Sequence, residues 1–284
     1  MRTKTLLMAG AALALSLATS QAQVYSANMV GYVQTLIPGS SALTLMANPL
    51  SQGTNGLTQI MTGLQGSESV LIWNGHGYYN YFYEGFGVGT SLGYLSDWVD
   101  ASYDGTHLNS TNIPSSQYDS SDNVYWTQVP VLAPGQGFFL SNPNGLETNV
   151  FYGAVVSTNN TTLRGNSALT MVGSAIPVFG NLGTNVDLNL TNALAGNESL
   201  LVWNGHGYYN YFYEGAGVGT DLGYQSDWID ASYDGTHLNS TNIPSCQYDS
   251  SDNVYWTPPP QVKLSQGFFI SNPNGNEPWI QYLH

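Results

Sequence analysis

Residues 73–127 and 203–257 carry the same sequence at all but five positions, and no other feature constrains the possible folds as strongly. The exceptions are Phe86/Ala216, Ser91/Asp221, Leu95/Gln225, Val99/Ile229 and Ser116/Cys246. The same order of apolar and turn residues specifies the same elements twice, so the chain must hold two copies of one module. Beyond the block the copies diverge while their landmarks keep step, as when Gly137-Phe138-Phe139 returns as Gly267-Phe268-Phe269. Lengths disagree only between Asn48 and Gly56 on one side and Gly173 and Asn185 on the other, by about four residues. Retention of the block by a shared task and recent copying of it from one module into the other would each leave this pattern.

Each copy opens on an apolar strand, at residues 42–46 or 168–172. Leu57, Ile60, Met61 and Leu64 then fall at i, i+3, i+4 and i+7, which predicts a short amphipathic helix behind Asn55 as N-cap. Val186, Leu190, Ala193 and Leu194 hold the same places behind Asn185. A hairpin follows, with strands at residues 69–73 and 78–83 around Asn74-Gly75-His76-Gly77, whose Asn-Gly step supplies the positive φ angles of a tight reversal. Alternation sets Tyr79, Tyr81 and Tyr83 on one face and Tyr78, Asn80 and Phe82 on the other. Residues 85–123 show no sustained period and read as a long loop, of the kind that carries function or is disordered; Tyr94, Trp98, Tyr103 and Tyr118 argue for order. Strands at residues 123–127, 137–141 and 148–156 close the module, the last running on into its twin.

The prediction is therefore an all-β chain of two tandem antiparallel sandwich or barrel modules, each with one short helix, at residues 23–152 and 153–284. Residues 1–22 read as a secretory signal peptide: Arg2 and Lys4 precede an apolar run, and Ser20-Gln21-Ala22 forms the small-residue exit. The apolar run is too short to span a bilayer, and no anchor or membrane span is expected elsewhere. The expected location is extracellular or periplasmic. Loss of that leader leaves Arg164 and Lys263 as the only strong bases against 18 acidic residues. Such a field disfavours nucleic acid and anionic lipid as partners and suits cations, neutral sugars or a basic protein, besides keeping the chain in solution. Cys246, the one cysteine, has Ser116 as its counterpart, so neither a disulfide framework nor a thiol nucleophile common to both modules is available.

The VYSANMVGYV segment after the leader, the PGQGFF element and the FYGAVV junction resemble a group of uncharacterised secreted bacterial proteins with the same paired β module. The resemblance covers most of the chain behind the leader and rests on strands and turns. It implies the paired architecture and brings no activity with it. The long Asp- and Tyr-rich segment reads as an elaboration on the shorter modules of that group.

Three kinds of chemistry are readable. Asp100, Ser102 and Asp104 before Gly105, repeated as Asp230, Ser232 and Asp234, match the first half of a calcium loop, although Thr111 stands where a bidentate Glu belongs. Asp119 and Asp122 could complete the oxygen set; the alternative is a solvated Asp-Gly turn. Trp73, Tyr79, Tyr81, Tyr83 and Trp98, with Trp203, Tyr209, Tyr211, Tyr213 and Trp228, form a candidate ligand-binding set for sugar rings, or else the ordinary core of an aromatic-rich β module. His76 with Glu84, or two of the loop carboxylates, would be needed for glycoside hydrolysis, but no nucleophile elbow, zinc-ligand spacing or phosphate loop accompanies them. The resulting expectation is a secreted, non-catalytic binding or structural protein with two equivalent sites for glycan or cell-surface material, calcium being a possible cofactor. A secreted glycan-cleaving hydrolase is the alternative.

Overall fold

A computed structural model describes residues 30–101, 113–114, 116–231 and 243–284. Residues 1–22, expected to be a leader, lie outside the described residues. Among those that are described, no helix is long and apolar enough to cross a membrane.

The first module contains β1 (Val30–Ile37), β2 (Ala42–Ala47), β3 (Ser69–Trp73), β4 (Tyr78–Tyr83), β5 (Trp98–Asp100), β6 (Gln117–Asp119), β7 (Val124–Thr127), β8 (Gly137–Asn142) and β9 (Glu147–Ala154). Its twin contains β10 (Thr158–Leu163), β11 (Ala168–Gly173), β12 (Gly180–Asn181), β13 (Glu198–Trp203), β14 (Tyr208–Tyr213), β15 (Trp228–Asp230), β16 (Gln247–Asp249), β17 (Val254–Thr257), β18 (Gln261–Val262), β19 (Gly267–Asn272) and β20 (Glu277–Tyr282). Each module is built on one seven-stranded antiparallel sheet, in the order β2-β8-β3-β4-β5-β7-β6 and β11-β19-β13-β14-β15-β17-β16. A two-stranded ribbon, β1-β9 or β10-β20, forms the second layer. The predicted all-β pair of sandwich modules is the observed fold.

The predicted 85–123 loop is partly regular. It holds the turn of helix α2 (Val88–Ser91), counted after α1 (Leu57–Ile60), and the strands β5 and β6, which extend the sheet. The amphipathic helix is shorter than its periodicity predicts. In the first module it is the single turn α1, because Met61 leaves it to bridge Phe151 on β9. In the second only a 3-10 turn forms, at Thr191–Ala193, and Asn185 instead accepts the N–H groups of Asp187 and Leu188. The strand expected to continue across the junction is interrupted at residues 155–157.

Register explains the core. Val70 pairs with both Leu140 and Tyr81, so these side chains share the inner face, where they meet Val33, Ile37, Phe151, Leu57 and Ile60 from the ribbon and α1. Leu45, Phe139 and Leu71 share the opposite face. That second face does not meet water: Leu45 and Phe139 pack with Met171 and Phe269 of the twin into a separate apolar layer between the two sheets. Alternation along Gly137-Phe138-Phe139 thus sends Phe138 into the module core and Phe139 into the layer between modules.

The contacts across this layer are reciprocal. Trp73 Nε1 donates to the Leu169 carbonyl at 3.0 Å, and Trp203 Nε1 donates to the Leu43 carbonyl at 2.9 Å. The Gly173 N–H donates to the Gly135 carbonyl, and the Ala47 N–H to the Ser265 carbonyl. Met46 bridges Gln266 as Gln136 bridges Val172. The duplicated chain therefore forms a pseudo-twofold dimer of its own halves. Glycine at 137 and 267 is what permits the approach, since a Cβ on Gly267 would lie 2.5 Å from the Met46 oxygen and one on Gly137 2.8 Å from Met171 Cγ.

Candidate functional site

The hairpin turn after β13 is built by Asn204, whose Oδ1 accepts the N–H groups of His206 at 3.0 Å and Gly207 at 2.9 Å, with Gly205 at φ 101°. This local geometry holds His206 exposed at the edge of an open groove of about 1060 Å³ between the modules. One wall comes from the first module, with Leu36, Pro38 and Leu43; the other comes from the second, with Phe179, Trp203, Tyr209, Gln261 and Lys263. Trp203 is fixed there by its bond to Leu43 and by edge-on packing against Phe139 and Tyr208, with centroids 5.7 and 5.0 Å apart. Phe179 is 65% exposed. Tyr211 lies at the base, 8% exposed, where burial above all, helped by Tyr209, Cys246 and Asp230, pushes its hydroxyl up to about 12. It is therefore neutral at physiological pH and can donate or accept a hydrogen bond. No Asp or Glu occurs among the described residues that line this groove.

The structure divides the ten aromatic residues picked out from the sequence. Trp203, Tyr209 and Tyr211 line the groove. Tyr213 and Trp228 border a separate cavity of about 210 Å³, beside Asp227, Gln225 and Thr184. Trp73 braces the module interface, and Tyr79 packs half-buried against the first core. Tyr81, Tyr83 and Trp98 belong to that core outright, and Trp98 has no exposed surface. Trp98 meets Tyr83 at 4.9 Å and Tyr81 edge-on at 6.4 Å. Rings so enclosed offer no face to a sugar, so a single continuous aromatic platform does not form; packing fills it from both sides.

Of the calcium-loop residues, Asp100 and Asp230 end β5 and β15 with buried side chains. Ser102, Asp104, Ser232 and Asp234 lie outside the described residues. Asp119 accepts the Ser121 N–H at 2.9 Å, and this bond, with the Tyr94 hydroxyl, holds its carboxyl below the usual range. Among the described residues no three carboxylate, imidazole or thiol side chains converge. His76 sits exposed on the hairpin turn, held there by Asn74. Glu84 is pushed up by burial and by Asp122 nearby.

Sequence reasoning passed over two acid pairs, in which Glu68, Glu147 and Glu198 are buried and Glu277 is half-buried. Glu68 is fully buried and accepts the N–H groups of Gln65 and Gly66 at 2.7 and 2.9 Å. Glu198 does the same for Ala195 and Gly196, and accepts the Asn274 amide as well. Burial and the adjoining Glu68 push Glu147 up, against a smaller pull from the Asn144 amide, and no Glu147 oxygen makes a hydrogen bond of good geometry. Glu277 is pushed up by burial and Glu198. The available signal was that Glu68/Glu198 and Glu147/Glu277 stay matched in stretches that otherwise diverge.

The Asn74 turn of the first module is related to that of Asn204 by the pseudo-twofold but has a base over it. Arg164 stands where the first module has Pro38, and its Nη1 lies 2.5 Å from the place a Gly75 Cβ would take, whereas nothing lies within 4 Å of that place at Gly205. Comparison of the chain with protein-family models, with curated proteins and with solved structures returns no match.

Proposed function

We propose that this chain is an exported, non-catalytic binding protein that holds a glycan strand in the groove between its modules. The composition of that groove carries the reading. Phe179, Trp203 and Tyr209 present ring surface, and Asn204, Gln261 and Tyr211 supply amides and a hydroxyl. Sugars combine apolar C–H faces with peripheral hydroxyls and need both kinds of partner. The volume, about 1060 Å³, is of the size that takes several sugar units. Cleavage of a glycosidic bond needs two carboxyl groups across it. The reading of the groove as a binding site rests on its rings and amides, and the described lining residues include no Asp or Glu. Export rests on the leader-like residues 1–22.

The test is a glycan array probed with the protein lacking residues 1–22 and with a Phe179→Ala/Tyr209→Ala double variant. Retained sugar that the variant loses, with unchanged circular dichroism, supports the reading. An array blank for the unmodified protein overturns it. Release of reducing ends from any bound glycan would replace a binder with a hydrolase.

A further inference from the structure

The described residues contain two strong bases, Arg164 and Lys263, in a chain with 18 acidic residues, and both stand where the modules face each other. Lys263 lines the open groove, on the same wall as His206. Arg164 reaches over the Asn74 turn from the opposite module. The two are not copies of one ancestral residue: Lys263 matches Ala133, and Arg164 matches Pro38. Each base was thus placed independently: both belong to the second module, and one stands beside each of the two hairpin turns that the pseudo-twofold relates. Both side chains are exposed, and neither makes a hydrogen bond or ion pair among the described residues.

An acidic protein has carboxylates to spare for neutralising its bases, yet here the bases stand unpaired and the groove around Lys263 has no described acid in its lining. A concave wall of low polarizability concentrates the field of one such charge where bulk water would dissipate it. Within the proposed glycan-binding reading, on which this inference rests, we infer that the groove selects an acidic glycan. A sugar carboxylate would meet Lys263, with the His206 ring beside it, while the pyranose faces lie against Phe179 and Trp203. In a chain of strongly negative net charge, this patch supplies selectivity as well as affinity.

The experiment titrates uronate oligosaccharides, and the same oligosaccharides as methyl esters, into the protein lacking residues 1–22. Esterification removes the charge and keeps the ring, so the pair isolates the carboxylate. A charge-assisted contact predicts that the acid binds about tenfold more tightly than the ester, and that this ratio shrinks with added salt. Lys263→Met should abolish the ratio while leaving the melting temperature unchanged; a base that only relieves repulsion between two acidic modules would instead lower the melting temperature. Equal binding of acid and ester, or a preference that survives in Lys263→Met, overturns the inference and leaves the glycan reading standing. Failure of both oligosaccharides, together with a glycan array blank for neutral sugars, overturns both.

Discussion

Replacing Trp73 or Trp203 by Phe tests the pseudo-twofold interface at its two hydrogen bonds. Each substitution removes one indole donor, from the Leu169 carbonyl in one case and the Leu43 carbonyl in the other. A lost hydrogen bond costs about 1 kcal/mol, toward the lower end where water can reach the acceptor, as at the partly exposed Leu43. The smaller ring also weakens edge contacts, such as those of Trp73 with Tyr78 at 5.1 Å and Phe269 at 6.1 Å, which adds up to about 1 kcal/mol. Each variant should therefore lose about 1–2 kcal/mol, and the two losses should agree to within about 0.5 kcal/mol because the contacts are reciprocal. In a chain of this size that is a fall of roughly 3–6 °C in melting temperature. The double variant should lose nearly the sum, offset only by coupling through the shared Phe139 and Phe269 rings. Urea titration followed by circular dichroism, beside calorimetry, measures all three. A free Trp73→Phe with a costly Trp203→Phe, or the reverse, would refute the reciprocal interface.

Three further outcomes follow from the packing. Glu147 has its carboxyl raised above the ordinary 4.5 by burial and by Glu68, so the fold favours its protonated form, and stability is lost as pH rises through the raised value. Glu147→Gln should then be more stable than the parent at pH 7, by on the order of 1 kcal/mol, and nearly equal to it below pH 4; melting curves across that range decide, and no gain at pH 7 would reject the uncompensated acid. Gly267→Ala places a methyl group 2.5 Å from the Met46 oxygen and should cost about 1–3 kcal/mol, whereas the same change at Gly205, where nothing lies within 4 Å, carries only the strain of its positive φ, about 1 kcal/mol. Trp98→Ala should cost roughly 3–5 kcal/mol with or without ligand, as expected of a ring with no exposed surface, while Phe86→Ala, at a side chain 95% exposed, should stay within about 0.5 kcal/mol. Denaturant unfolding of the two variants compares them directly.

Much of the local structure is legible in the residues. The hairpin of Ser69–Trp73 and Tyr78–Tyr83 around Asn74 and Gly75 stands where alternation and turn chemistry put it, in both copies. The helix pattern misled in an instructive way. Leu57, Ile60 and Met61 are all buried, as an amphipathic face should be, but burial comes from packing under the ribbon, and pairing of Met61 with Phe151 replaces the helical bond that a second turn would need. The aromatic strand misled for a related reason. Alternation told Tyr79, Tyr81 and Tyr83 from Tyr78 and Phe82, but with rings on both sides it could not tell which face meets the ribbon and which meets the twin module.

The sequence by itself determined the two-module β architecture, the hairpin turns and the negative net charge, because these depend on residue type and on spacings of a few residues. The tertiary structure alone decided that Gly-Phe-Phe serves two apolar layers, that Trp73 and Trp203 reach across to the other module, and that Lys263 and Arg164 come to stand beside the two hairpin turns. Those contacts join residues 96 and 160 positions apart, and no local pattern encodes them. They arise because each sheet has a second apolar face, which is buried against the same face of the other half.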